Sequence, residues 1–194
     1  MLRLEQLLSV SRLPDMSQPY KTNGKISHRA WFAPEEYKQL YNATRERMKN
    51  PRKKRYQADY EDSHDYVLFM VNTGLRPDEV KRIEFRDVKI VDDRDSRQTI
   101  LEIDARGKRG VGFCKSMPGA VLPFERVVRR RSPKPTDPVF PMTHDKRFNN
   151  ILAELGLKKD REGQRRTFYS LRHLHQHALH GRRRRLSDCQ ELPD

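Results

Sequence analysis

Cysteine is almost absent from this chain: Cys114 and Cys189 are the two that its 194 residues contain, and they stand in unrelated contexts. That excludes a disulfide framework, and a reducing, cytoplasmic compartment is the expectation. Long apolar runs are lacking as well. The opening stretch from Met1 to Val10 carries Arg3 and Glu5 and has no extended apolar centre, which makes it a poor signal peptide. No later stretch approaches the roughly 20 apolar residues of a membrane span. Hydrophobic residues amount to 35% of the chain, so the core must be small; the length suits one ordinary domain with appendages. Acidic side chains are outnumbered, with 27 Asp+Glu against 41 Lys+Arg and a formal net charge of +14. Such an excess points to a polyanion, most often a nucleic-acid backbone, because each neutralised phosphate releases counterions.

What is present divides into three parts. Residues 1–28 read as a short amphipathic stretch and a polar linker, 29–181 as the folded domain, and 182–194 as an aberrant Arg-rich tail. Within the domain, Pro34-Glu35-Glu36 opens a helix that runs to about Lys49, with proline at its first position and acids in its first turn. The basic run Arg52-Lys53-Lys54-Arg55 connects it to a second helix, Tyr60 to Asn72. There Tyr66, Val67, Met70 and Val71 mark a buried face. Gly74 suits a left-handed cap, and Pro77 starts the next helix. Three strand signals follow, Val88–Val91, Thr99–Ile103 and Val111–Cys114, separated by turns and read as an antiparallel meander. Helices are then expected from Pro123 to Arg131, from a Thr143 cap to about Leu155, and from Tyr169 to His180.

Two arginines lie in helix openings: Arg76 in Thr73-Gly74-Leu75-Arg76-Pro77-Asp78-Glu79, and Arg172 in Tyr169-Ser170-Leu171-Arg172-His173. They are 96 residues apart, so only a fold can join them. A guanidinium is planar, permanently charged and forked, which matches phosphate oxygens bidentately. A fixed pair of them is what a site built around a phosphodiester requires.

These two boxes, in this order and with a meander between them, resemble those of the tyrosine recombinases, the phage-integrase family. The resemblance covers about Ala30 to Gly181. It implies an α+β, mainly α catalytic domain with a small three-stranded antiparallel sheet, here without the C-terminal helices. Family function is DNA integration and site-specific recombination, in which a tyrosine hydroxyl attacks a DNA phosphodiester and forms a phosphotyrosyl link. By this resemblance Arg76 and Arg172 stabilise charge on the phosphate oxygens. Lys108, on the turn Gly107-Lys108-Arg109-Gly110, protonates the leaving oxygen, with Lys115 as the second candidate. The implied partner is double-stranded DNA, with other recombinase protomers on it. No cofactor, metal, membrane or small-molecule substrate is implied. Arg52, Lys53, Lys54, Arg55, Arg109, Arg165, Arg166 and His173 are expected to lie along the DNA; the triplet Arg129-Arg130-Arg131 either does so or is simply solvated.

The sequence departs from the family pattern. Tyr169 occupies the position of the box-two histidine, where proton transfer is expected. No tyrosine follows it, so the nucleophile is absent from these residues. Read one base out of frame with permitted codons, the stretch from Arg183 yields a tyrosine-bearing segment similar to the family's next helix, and a frameshift is the expected origin of the tail. Catalysis is therefore expected to be incomplete, and the alternative reading is a non-catalytic nucleic-acid-binding remnant. His173, His177 and His180 share a helix face but have no evident distant ligand, so they are read as surface or phosphate-side histidines. Trp31 and Phe32 are read as an apolar lid.

Overall fold

Proline and paired acids start the first helix where the sequence places it. In the computed structural model, which describes residues 29–94, 96–107 and 110–175, helix α1 spans Pro34–Lys49. The Glu36 carboxylate accepts the Ala33 N–H at 2.9 Å, satisfying one donor that the helix start would otherwise leave open. Helix α2, Gln57–Thr73, begins three residues earlier than the apolar pattern suggested and ends at Gly74, whose φ of 64° is left-handed. Its burial is also wider than one stripe. Besides Tyr66, Val67, Met70 and Val71, the side chains of Phe69, Ser63, His64, Asp65 and Thr73 are buried, because α1 and helix α4 (Val121–Arg131) pack on it from different sides.

The short helix α3, Pro77–Val80, follows Gly74 closely. Strands β1 (Val88–Asp93), β2 (Gln98–Gly107) and β3 (Gly110–Lys115) then form the expected meander in the order β1-β2-β3. Ile103 sits opposite Val88 on one side and Cys114 on the other. Alternation along β2 sends Leu101, Ile103 and Ala105 into the core, as a half-covered antiparallel sheet requires.

Helix α5 covers Asp145–Glu154. The expected Thr143 cap is not used: His144 holds the cap position, and no side chain bonds there. Packing fixes that helix start instead, since His144 is buried with its ring 5.4 Å from Tyr66. Tyr66 also meets Phe168 edge-on at 4.8 Å, and Phe168 stacks on Phe148 at 4.1 Å. This aromatic cluster seats helix α6, residues 169–175. The rest of that expected helix lies outside the described residues, as do the 1–28 segment and the 182–194 tail.

The triplet at the end of α4 departs from its sequence reading. Arg130 bonds Asp62 at 2.8 Å and pairs with the fully buried Asp65 at 2.7 Å, and Arg131 bonds Asp62. Arg126 donates to Asp65 as well, at 2.8 Å. An unpaired carboxylate in a core is costly, so these guanidiniums belong to α2 rather than to solvent or DNA. Arg129 alone of the triplet is exposed.

Candidate active site at the junction of two arginine boxes

Arg76 is the last residue of the three-residue turn from Gly74 that precedes Pro77, with extended backbone angles of φ −74° and ψ 148°. Its N–H donates to the Glu79 carboxylate at 2.8 Å, and its Nε lies 4.0 Å from the same group. The flanking Leu75 and Val80 are buried, while the guanidinium-bearing side chain is about half exposed at 46%. Anchored neighbours and an exposed head are what a preorganised anion ligand needs.

Arg172 reaches the same turn from α6. Its Nη1 donates to the carbonyl of Gly74 at 2.6 Å, across 98 residues of sequence. One helical turn further on, His175 Nδ1 lies 2.8 Å from the Val71 carbonyl. A carbonyl can only accept, so that nitrogen carries the proton. Burial pushes the His175 pKa down, the bond to Val71 opposes this, and Arg172 adds to the depression. The imidazole is thus a neutral packing group. A Cβ built on Gly74 would collide with that ring. Glycine is required there twice, for its positive φ and for the approach of α6.

The sheet closes the third side. The Cys114 thiol, on β3, donates to the Thr73 carbonyl at 3.4 Å. Burial pushes its pKa up to about 11, with Glu79 raising and Arg172 lowering it. Glu79, Cys114, His175 and Gly74 therefore form the seat of the arginine pair; the sequence reading gave a positioning role to the glycine alone. A period-based signal existed for one of them: His175 falls seven residues after the buried Phe168 and four after the buried Leu171, on the inward stripe of α6.

Tyr169 begins α6 and is partly exposed. Its hydroxyl accepts from Arg29 Nη1 at 2.9 Å, and the Arg29 guanidinium lies 5.2 Å over the ring. His173 stands beside it, ring centroids 5.4 Å apart. Of the lysine candidates, Lys108 lies outside the described residues, as does Arg109. Lys115 projects from the face of β3 opposite the core, in register with Glu102, and pairs with Asp93 at 2.8 Å. The bond from Lys115, then that from Ser96, holds the Asp93 carboxyl down at about 2.

The other expected DNA contacts separate into two kinds. Arg52, Lys53, Lys54 and Arg55 are exposed; Arg52 lies 3.2 Å from Glu154, and Arg55 stacks 4.7 Å over Tyr56. Arg165 is exposed and lines an open notch with Arg29, Gln164, Thr167, Tyr169 and Ser170. Arg166 is a correction. It is 1% exposed, and its guanidinium donates to the carbonyls of Trp31, Leu157 and Lys159 and to Glu36 at 2.6 to 3.2 Å. With four acceptors and Phe32 4.8 Å beneath it, Arg166 is a structural core residue and not a DNA ligand. Arg165, bridged to Lys159, is exposed while its neighbour Arg166 is buried, the alternation that a bridged, extended chain gives. Phe32 is fully buried beneath this guanidinium, while Trp31 is 41% exposed.

Among the described residues no group of three or more His, Cys, Asp or Glu could hold a metal ion, and no helix is long and apolar enough to cross a membrane. His177 and His180 of the histidine cluster lie outside those residues.

No family model and no curated protein matches the chain. Solved structures do. The chain is similar to XerH site-specific recombinase bound to difH substrate in a pre-cleavage complex, with a TM-score of 0.58 and 14% identity over 79% of this chain and 44% of that one. It is similar to XerA recombinase, with a TM-score of 0.51 and 16% identity over 76% and 50% of the two chains. It is also similar to the Tn1549 transposon integrase in complex with transposon right-end DNA, with a TM-score of 0.50 and 16% identity over 79% and 54%. The chain spans about half the length of these proteins. The fold it shares with them is mainly helical with a three-stranded antiparallel sheet, as expected from the arginine boxes.

Proposed function

We propose that this chain is a catalytic domain of the tyrosine-recombinase type, which grips a phosphodiester of double-stranded DNA between Arg76 and Arg172 and serves DNA integration and recombination. The observation that carries the reading is the 2.6 Å bond from Arg172 to the Gly74 carbonyl. It ties the second arginine to the turn that presents the first, so Arg172 is held beside the Arg76 turn before any ligand arrives. Fixed charge costs no reorganisation when negative charge develops on the phosphate oxygens. Tyr169, one turn before Arg172, stands where a group donating a proton to a phosphate oxygen belongs. The XerH and Tn1549 structures hold DNA on the same fold, which supports duplex DNA as the partner; other recombinase protomers on that DNA would complete the assembly. Lys108 supplies the proton for the leaving sugar oxygen in this scheme, with Lys115 second.

No tyrosine follows Tyr169 in these 194 residues, and a covalent link needs a nucleophilic hydroxyl. A second reading is therefore kept, a DNA-binding protein that holds the arginine site without cutting. One experiment addresses both: the purified chain, incubated with nicked duplexes, is run on native and denaturing gels. Retardation on the native gel and no covalent band on the denaturing gel are expected. Arg76→Ala should weaken binding about tenfold, as loss of one charge-assisted contact worth roughly 1.5 kcal/mol. Binding that is indifferent to Arg76 would sink the phosphodiester reading. A covalent band abolished by Tyr169→Phe would make Tyr169 the nucleophile instead.

A further inference from the structure

The contact between Arg29 and Tyr169 joins residues 140 positions apart, and nothing in the arginine-pair scheme uses it. The segment bearing Arg29 is firmly held. Ala30 and Phe32 are buried, and the Trp31 carbonyl between them accepts from Nε of the buried Arg166 at 2.8 Å. Arg29 therefore approaches Tyr169 from a fixed backbone, and it engages the phenol in two ways, a hydrogen bond at 2.9 Å and a cation–π contact at 5.2 Å.

A phenol has one proton and acceptor lone pairs, and a guanidinium can only donate. With Arg29 filling a lone pair, the phenolic proton must go to some other acceptor. Tyr169 shares a helix face with Arg172, three residues on, and Arg172 is itself bound to the Gly74 carbonyl. An anion oxygen held by Arg172 is then the nearest acceptor that the proposed function supplies. Without Arg29, the hydroxyl could rotate or donate elsewhere.

We infer that Arg29 is a positioning residue: it orients the Tyr169 hydroxyl as a hydrogen-bond donor toward a phosphate oxygen held by Arg76 and Arg172. The inference rests on the proposed function, since it takes the phosphate from that reading. Arg29 itself does not touch the phosphate in this arrangement. Its charge lies behind the phenol, where it polarises the O–H bond in the sense that strengthens donation.

The test uses inorganic phosphate as the probe and the whole chain labelled with ¹³C at tyrosine Cζ. Phosphorus NMR reads total phosphate binding, and Tyr169→Phe assigns the Tyr169 resonance. Saturating phosphate should shift that resonance in the parent protein. In Arg29→Gln the shift should vanish and phosphate affinity fall about fivefold, with the backbone amide spectrum otherwise retained; Arg29→Lys, which keeps a charged donor, should restore part of both. Tyr169→Phe should lower affinity by a similar factor, and the double variant Arg29→Gln/Tyr169→Phe should add no further loss, because the two residues act as one unit. Phosphate binding that depends on Arg76 and Arg172 but leaves Tyr169 silent would overturn the inference while the proposed function stands. A Tyr169 shift that survives Arg76→Ala and Arg172→Ala would place the anion in the notch between Arg29 and Arg165, and would also overturn it. Phosphate binding unaffected by any of the arginine substitutions would instead bring down the proposed function.

Discussion

A single missing methyl group lets the two arginine boxes meet. Gly74 ends α2 with a φ of 64°, gives its carbonyl to Arg172, and leaves the space that the His175 ring fills. Alanine there would strain the backbone by about 1 kcal/mol and would push α6 away from α2. The expected outcome for Gly74→Ala is a loss of about 2–4 kcal/mol in urea denaturation, since overpacking adds to backbone strain. DNA affinity should fall along with it, because displacement of α6 carries Arg172 off the turn that bears Arg76. A variant of unchanged stability and unchanged affinity would show that the close approach of the two boxes is not what builds the site.

Between elements, some of the contacts that fix the arrangement are polar and buried, and this makes the fold sensitive to acid. His64 on α2 lies 2.9 Å from the Thr44 hydroxyl of α1, which itself donates to the Tyr41 carbonyl. Burial pulls the His64 pKa down to about 4, and burial lowers those of His144 and His175 as well. The ring nitrogens of His144 have no hydrogen-bond partner among the described residues. A folded pKa below the unfolded value means that the unfolded chain takes up protons first as pH falls. Stability is therefore full above about pH 6.5 and is lost as pH drops toward 4; His64 alone accounts for on the order of 3 kcal/mol. Urea midpoints measured from pH 7.5 to 5.5 should decline, and less steeply in His64→Gln. A flat profile would contradict the neutral, buried state of these imidazoles. None of this was legible from the sequence, where a histidine between polar neighbours looks solvated. Helix α1, by contrast, was readable to the residue, because Pro34, Glu35 and Glu36 act locally. The strands were placed correctly but drawn short at their polar ends, where cross-strand pairing rather than apolar pattern sets the length. Both arginine boxes could be read because each is contiguous. The rest of their seat could not, since Cys114 reaches the Arg76 turn only through a contact that the fold creates.

At the scale of the whole molecule, the charge excess of +14 is not all available to a partner. Arg126, Arg130, Arg131 and Arg166 are spent on buried or partly buried acceptors, while Arg52, Lys53, Lys54, Arg55 and Arg165 are exposed. DNA binding should therefore be driven by phosphate contacts from the second group, with weak dependence on base sequence. The logarithm of the binding constant should fall linearly with the logarithm of salt concentration, by about 0.9 for each phosphate neutralised. Fluorescence anisotropy titrations on two unrelated duplexes, from 50 to 200 mM salt on the order of standard practice, give the slope directly. Arg165→Ala should reduce that slope by about 1 at unchanged stability. Arg166→Ala should do the reverse: the slope stays, while the fold loses about 3–5 kcal/mol because Glu36 and three carbonyls lose their donor. Lysine should not rescue it, since one ammonium cannot span acceptors arranged around a planar fork. Binding that ignores salt, or a slope altered by Arg166→Ala in protein shown to be folded, would mean that surface and core arginines have been assigned the wrong way round.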